Sequence, residues 1–359
     1  MKKTVLLLLL ALLLSTTASA QPPLDAFIAG YAKEHNFNGT ILVQKNDKVI
    51  YSASFGLANF RFDAPNTVQT KYRIASITKV FTSVLVLQLQ EQGLLDLDKT
   101  IKTYLPGYTG PAADKVTLHQ LLNHTSGIEN MDKVKSADEA IRIGMPAYQL
   151  PHTTDQLLTQ FASGALVHTP GTVFDYNNAD YLILGKIIER VSGKTYDQVL
   201  KAQILQPLGM MNTGMLYQHN IVHGLADTYF FRDDRGALVP DLPNYPENWY
   251  AAGGLYSTVN DLLKFSNALF GEKLLKRDSL ARMIKPGLDD YGYGLWSYET
   301  KIGGKKYRVV KRPGQIMGAQ SQLYHFMDAG VTVIILSNTG TTDLDQFVAE
   351  IGKRVAGNP

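Results

Sequence analysis

The sequence predicts an α/β (α+β) protein in which an antiparallel sheet, built from both chain ends and flanked by helices, carries an inserted, mainly helical lobe. Three observations predict it. Strand-like runs stand near the start and again near the end, and the long middle repeats its apolar residues at helical spacing. A composition of 45% apolar and 19% charged residues over 359 positions supplies a large core. The sheet lobe is expected over about 21–75 plus 290–359 and the helical lobe over about 76–289, together forming one domain after a leader at 1–20.

The elements follow in order. Lys2 and Lys3, the apolar run 5–14 and the small residues Ala18-Ser19-Ala20 read as a signal peptide cleaved before Gln21. The apolar run is shorter than the roughly 20 residues that cross hydrocarbon, and no later stretch is both long and uncharged. The mature protein is therefore expected to be exported, periplasmic or secreted, with no transmembrane anchor. Residues 40–44 and 48–54 flank the turn candidate Lys45-Asn46-Asp47, a hairpin signal. Residues 80–89 are apolar nearly all round, as in a fully buried helix, and Gly93 is its stop. Tyr181, Leu182, Leu184, Ile187, Ile188 and Val191 mark a second helix, and Asp261, Leu262, Leu263, Phe265 and Leu269 a third. Residues 307–311, 320–326 and 331–336 read as three strands, the last two joined across Asp328-Ala329-Gly330. An active site belongs in the cleft where the lobes meet.

Charge and cysteine content exclude several functions. The formal charge of +3 is spread over 35 basic and 32 acidic residues with no run of Lys or Arg, so no nucleic-acid partner is expected. With no cysteine there is no disulfide, no lipid on a cysteine, no thiolate zinc site, no iron–sulfur cluster and no Cys nucleophile.

The chemistry starts with Ser76-Ile77-Thr78-Lys79, where Ser76 is the only serine followed by a lysine three positions later. Positions i and i+3 share a helix face, so hydroxyl and ammonium can meet at the first turn of the buried helix. The helix N-terminus favours negative charge developing near Ser76, and a poorly solvated Lys79 loses preference for its charged form and becomes a base for the serine. The plain alternative makes Ser76 an N-cap and Lys79 a solvated first-turn residue. A lysine on a helix apolar all round has no obvious solvent face.

Phe174-Asp175-Tyr176-Asn177-Asn178 runs into the second helix. A phenol beside a Ser/Lys pair can relay a proton, and a carboxamide can hold Lys79 or a substrate amide. Asn177 is better read as a cap for the following helix. Lys311-Arg312-Pro313-Gly314 ends a candidate edge strand. Strand alternation sends Lys311 and Arg312 to opposite faces, Pro313 fits where an N–H is not needed, and Gly314 admits a ligand closely. The alternative is an ordinary exposed basic edge.

Ser76-x-x-Lys79, Tyr176-x-Asn178 and a later basic-x-Gly, in this order, resemble the three motifs of the serine β-lactamase and penicillin-binding-protein superfamily, in its class C β-lactamase-related branch. Leu121-Leu122-Asn123-His124-Thr125-Ser126-Gly127-Ile128, Pro170-Gly171-Thr172, Pro207-Leu208-Gly209-Met210 and Gly253-Gly254-Leu255-Tyr256-Ser257-Thr258 are similar to connecting segments of that branch, so the resemblance covers nearly the whole mature chain. It implies a β-lactamase/transpeptidase-like fold. It also implies Ser76 as acylated nucleophile, Lys79 as its activator, Tyr176 as general base and acid partner, and Asn178 as holder of the lysine and substrate. Where the branch usually has Lys or His, this chain has Arg312, which keeps charge for a substrate carboxylate but cannot trade protons near neutrality. Gly314 and Gln315 complete the substrate side, with the Ser76 and Gln315 N–H groups as oxyanion hole.

The resemblance implies acyl transfer to Ser76 followed by hydrolysis, without metal or cofactor. An amide hydrolase of the β-lactamase or D-alanyl-D-alanine carboxypeptidase type is expected, acting on a peptidoglycan peptide, a β-lactam or an ester. An esterase and a catalytically silent penicillin-binding module are the alternatives. No Gly-x-Ser-x-Gly or Walker loop is present, and His219 and His223 lack the intervening Glu of a zinc peptidase. His124 belongs to the His-Thr-Ser-Gly turn and is assigned no proton transfer.

Overall fold

The computed structural model describes residues 23–134 and 136–357, and the leader expected over 1–20 lies outside them. Helix α1 (Leu24–Glu34) precedes the expected hairpin of β1 (Gly39–Lys45) and β2 (Lys48–Phe55). A short strand β3 (Tyr72–Arg73) leads through the 3-10 turn Ala75–Ile77 into α2 (Thr78–Glu91). Helix α3 (Asn178–Ser192), strand β4 (Gly214–Met215), the single turn α4 (Tyr250–Gly253), strand β5 (Leu255–Ser257) and helix α5 (Val259–Phe270) follow. The chain closes with β6 (Trp296–Ile302), β7 (Lys305–Ile316), β8 (Ala319–Phe326), β9 (Val331–Ser337) and α6 (Leu344–Gly357).

The main sheet has six antiparallel strands in the order β6-β7-β8-β9-β1-β2, so both chain ends contribute to it, as the sequence predicts. Strand β9 is buried at every position because both sheet faces are covered. Its alternation divides the core. Val331, Val333 and Ile335 join Ile28, Ile41 and Phe347 on the face covered by α1 and α6, whereas Ile334 and Leu336 join Leu42, Phe81 and Phe265 on the other. A small sheet, ordered β3-β5-β4, sets the entry to the Ser76 turn.

Helix α2 is the centre of the larger core. Every residue from Thr78 to Leu87 is buried, and Phe81 stacks on Phe265 of α5 at 3.8 Å between centroids. Its polar members are satisfied locally: Thr82 Oγ1 donates to Ala251 O (2.7 Å) and Ser83 Oγ meets the Tyr181 hydroxyl (3.1 Å). The helix stops where expected at Gly93, after which Leu94 N–H returns to Leu89 O (3.0 Å). Asn177 caps α3, its side chain accepting from Ala179 N–H at 3.0 Å.

One element differs from expectation. The strand carrying Lys311 and Arg312 is not an edge: β6, which the sequence pattern does not reveal, pairs with it as far as Trp296 opposite Lys311. Beyond that pair, residues 312–316 keep only β8 as neighbour, so Pro313 lies where no ladder bond is required on its outer side. Strand β6 is half-exposed and mixed in composition, a weak signal by alternation alone.

Candidate active site

Ser76 sits in the 3-10 turn just before α2, reached through Ala75, whose φ of 47° is unusual for a residue with a side chain. Lys79 follows on the first turn of α2 and is fully buried, so it is not a solvated first-turn residue. Its Nζ donates to Ser76 Oγ (3.3 Å), Asn178 Oδ1 (2.6 Å) and Ala252 O (2.9 Å). The last acceptor is presented by α4, which starts at Tyr250 with φ 41°. The three acceptors take all three ammonium hydrogens. Burial pushes Lys79 down to about 8, with Tyr176 opposing and Arg312 reinforcing the shift.

The Tyr176 hydroxyl donates to Ser76 Oγ at 2.8 Å, and Lys79 Nζ lies 4.7 Å from the centre of its ring. Burial acts to raise this phenol, but Arg312 and then Lys79 outweigh it, and the net displacement is downward. Arg312 itself is 2% exposed. Nε donates to Ser76 O (2.8 Å), Nη1 to the Tyr291 hydroxyl (2.8 Å) and Nη2 to the Tyr176 hydroxyl. Its charge thus bears on the reacting centre through protein acceptors. Lys311, on the opposite face as strand alternation requires, pairs with Asp345 (3.0 Å).

Gly314 passes against the Ser76 turn. A Cβ there would stand 2.5 Å from Ile74 O, 2.5 Å from Ser321 Oγ and 3.0 Å from Ser76 N, so only glycine permits the approach. The exposed Gln315 follows on β7. Two cavities meet here. One of about 640 Å³ includes Asp132, Tyr148, Asn178, Trp249 and Gln315 in its lining; the other, about 460 Å³, includes Ser76, Tyr176, Trp296, Arg312 and Gln315.

Several residues at the site were not singled out from the sequence. Asn178 Nδ2 donates to Asp132 Oδ2 (2.8 Å) and meets the Tyr148 hydroxyl (3.2 Å), which donates to Asp132 Oδ1 (2.6 Å). Tyr148 stacks on Trp249 at 4.0 Å, with rings inclined by 2°. Trp296 stacks near Tyr176, and Tyr291 lies edge-on to Trp296 at 4.7 Å. One signal was available: the chain has two tryptophans, and both line this cleft. Residues 137–143, 146–149 and 154–160, within the long segment after Asn130, form three short helices, all of which reach the wall of the larger cavity.

His124 lies behind Tyr176 with ring centres 4.5 Å apart, fully buried, its Nδ1 2.8 Å from Asp180 Oδ2. Burial, reinforced by Lys79 and Arg312, holds its imidazole well below the usual range, and burial likewise holds the Asp180 carboxyl well above its own. His124 therefore supports the Tyr176 loop as a neutral group. His219 and His223 are exposed, and among the described residues no group of three or more His, Cys, Asp or Glu could hold a metal ion.

The arrangement, with Lys79 fully buried beside the cleft, can activate a hydroxyl and accept its proton. A family model for Beta-lactamase matches residues 24–357. PbpX of Bacillus subtilis (strain 168), named provisionally as a penicillin-binding protein, is 30% identical over 309 residues, covering 86% of this chain and 72% of that protein. Teichoic acid D-alanine hydrolase of Staphylococcus aureus is 24% identical over 314 residues, covering 88% and 74%. The crystal structure of a penicillin-binding protein from Bacillus halodurans superposes with a TM-score of 0.76 at 29% identity, covering 90% of this chain and 98% of that one.

Proposed function

The chain belongs to the Beta-lactamase family, and on that premise we propose that it is an exported hydrolase that cleaves an amide or ester through an acyl-enzyme on Ser76. The observation that carries this reading is Ser76 Oγ held between Lys79 Nζ at 3.3 Å and the Tyr176 hydroxyl at 2.8 Å beside an open cleft. With Lys79 lowered to about 8, about a tenth of the molecules hold it neutral at pH 7.

In acylation, Ser76 Oγ attacks the substrate carbonyl and its proton passes to the Lys79–Tyr176 pair. The Oγ–C bond forms, the scissile C–N or C–O bond breaks, and the leaving group takes that proton through Tyr176. Deacylation mirrors this: water gives its proton to the same pair, its oxygen bonds to the acyl carbon, and Ser76 recovers a proton as Oγ leaves. The N–H groups of Ser76 and Gln315 are proposed to receive the oxyanion. Asn178 keeps Lys79 aimed.

The expectation of a carboxylate-bearing substrate drew on Arg312 as anchor. With its guanidinium engaged by Ser76 O, Tyr176 and Tyr291, we assign it instead to lowering the Tyr176 phenol. Export is proposed from the Lys2-Lys3 start, the apolar run and Ala18-Ser19-Ala20; N-terminal sequencing of secreted protein should begin at Gln21.

Intact-protein mass spectrometry after exposure to a labelled penicillin and to p-nitrophenyl acetate, with turnover of nitrocefin, a D-Ala-D-Ala peptide and p-nitrophenyl esters measured beside it, tests the reading. An adduct on Ser76 that is released with product supports a hydrolase. A persistent adduct without turnover supports the silent module, and no adduct with any reagent rejects the assignment.

A further inference from the structure

A third cavity, of about 380 Å³, shares no lining residue with the two at Ser76; it is lined by Arg73 of β3 and by the chain around 225–229 and 240–244. Its walls hold four charged side chains, two of each sign: Arg61, Arg73, Asp227 and Asp241. Two of them are poorly satisfied. Among the described residues the Arg73 guanidinium makes one hydrogen bond, from Nη1 to Asn244 Oδ1 (3.2 Å), and its buried Nε has no partner. A guanidinium carries five N–H donors, so most of its capacity is unused. Asp241 Oδ1 accepts from Gly318 N–H (2.9 Å), while its buried Oδ2 has no partner among the described residues. Polar atoms left in this state within a native fold call for an explanation.

Burial disfavours both charges. It pulls the Arg73 guanidinium below its ordinary value, against Asp241 and Asp227, and pushes the Asp241 carboxyl above its own, against Thr228, Gly318 and Arg73. Each charge supports the other, yet among the described residues no hydrogen bond or ion pair joins them. Opposite charges that are buried but held apart bear the cost of desolvation without the contact that offsets it. A molecule with a carboxylate at one end and an ammonium at the other supplies the missing contact to each. A simple anion would meet Asp227 and Asp241 on the same walls, and a simple cation Arg61 and Arg73. The volume lies at the low end for ligand pockets, which suits a short side chain.

We propose that this cavity is a second ligand site, for the zwitterion of a small free amino acid whose carboxylate is received by Arg73 and whose ammonium by Asp241. The assignment of Ser76 plays no part in it. Arg73 stands three residues before Ser76, and Gly318, which donates to Asp241, three residues after Gln315. An amino acid held there links the two segments that lead to the reacting centre and stabilises the folded chain by mass action.

Isothermal titration calorimetry of the purified protein with glycine and alanine, beside propionate and ethylamine, tests this. The amino acids are expected to bind, and each singly charged compound to bind about 10- to 100-fold more weakly, the size of one charge-assisted hydrogen bond. Asp241→Asn keeps an oxygen for Gly318 N–H and removes the charge. It is expected to weaken alanine by a similar factor and to erase its advantage over propionate. Arg73→Gln is expected to erase the advantage over ethylamine. Circular dichroism establishes that each variant is folded, and either one suffices if the other is not. No heat with glycine or alanine up to about 10 mM overturns the proposal. So does propionate binding as tightly as alanine to the wild-type protein, which needs no variant. Alanine binding that is unchanged in a folded variant overturns it as well, because the amino acid then sits elsewhere, the Ser76 cleft included.

Discussion

Arg312 Nη2 donates to the phenol oxygen of Tyr176, and that same hydroxyl donates to Ser76 Oγ at 2.8 Å. A buried positive charge therefore acts on the serine through one intervening group. Its direction is defined: Arg312 lowers both Lys79 and Tyr176. Activity that needs either group deprotonated is lost as pH falls through its pKa, so the acid limb of kcat/KM should lie near the Lys79 value of about 8 or below. Removing the charge raises both groups. Arg312→Gln should move the acid limb to higher pH by about one unit. A pH–rate profile on a neutral ester checks this, and a limb that stays put or moves down contradicts the tuning role.

Tyr176→Phe removes the hydroxyl that touches Ser76 Oγ and leaves Lys79 at 3.3 Å as its remaining partner. The loss of a positioned proton relay should cost about 10²- to 10⁴-fold in kcat. Stopped-flow with an activated ester should show slower acylation and release, and a loss of less than tenfold would remove Tyr176 from the proton path.

Gly314→Ala should damage activity more than its size suggests. The added methyl meets Ile74 O and Ser321 Oγ at 2.5 Å, and the backbone Ile74 O cannot yield without shifting β7 or the Ser76 turn. Overpacking of this kind typically costs about 1–3 kcal/mol. Thermal unfolding and ester hydrolysis measured together should both fall; unchanged kcat/KM would mean that β7 does not set the geometry around Ser76.

Gly185→Ala offers a test at a distance. In an exposed helix this change gains up to about 1 kcal/mol, but here the new Cβ would lie 2.4 Å from Tyr250 Cε1 and 2.7 Å from Ala251 Cβ. Tyr250 begins the turn that offers Ala251 O to Thr82 and Ala252 O to Lys79. Net destabilisation of about 1–3 kcal/mol is expected, with a loss of activity from displaced Lys79. Denaturant unfolding showing a gain in stability would reject the packing argument.

The sequence determined a good part of this on its own. Helix α2 and its Ser76/Lys79 spacing, the hairpin at 40–54, the strand runs at 320–336 and the capping role of Asn177 are local features, written in periods of two and three-to-four residues. The face split between Lys311 and Arg312 follows from strand geometry in the same way.

Only the tertiary structure decided what those residues touch. Lys79 meets Asn178 across 99 positions, Tyr176 meets Ser76 across 100, and Arg312 reaches Tyr176 across 136. Asp132 enters the site on a loop, and Tyr148 and the Ala252 carbonyl on single helical turns, whose own spacing carries no chemical pattern, and Arg312 spends its donors on buried neighbours that its strand position alone does not name. Periodicity records which face a side chain takes, because that depends on the backbone a few residues either way. Which partner waits on that face depends on how distant segments pack to bury their apolar surface, and that is settled only when the whole chain has folded.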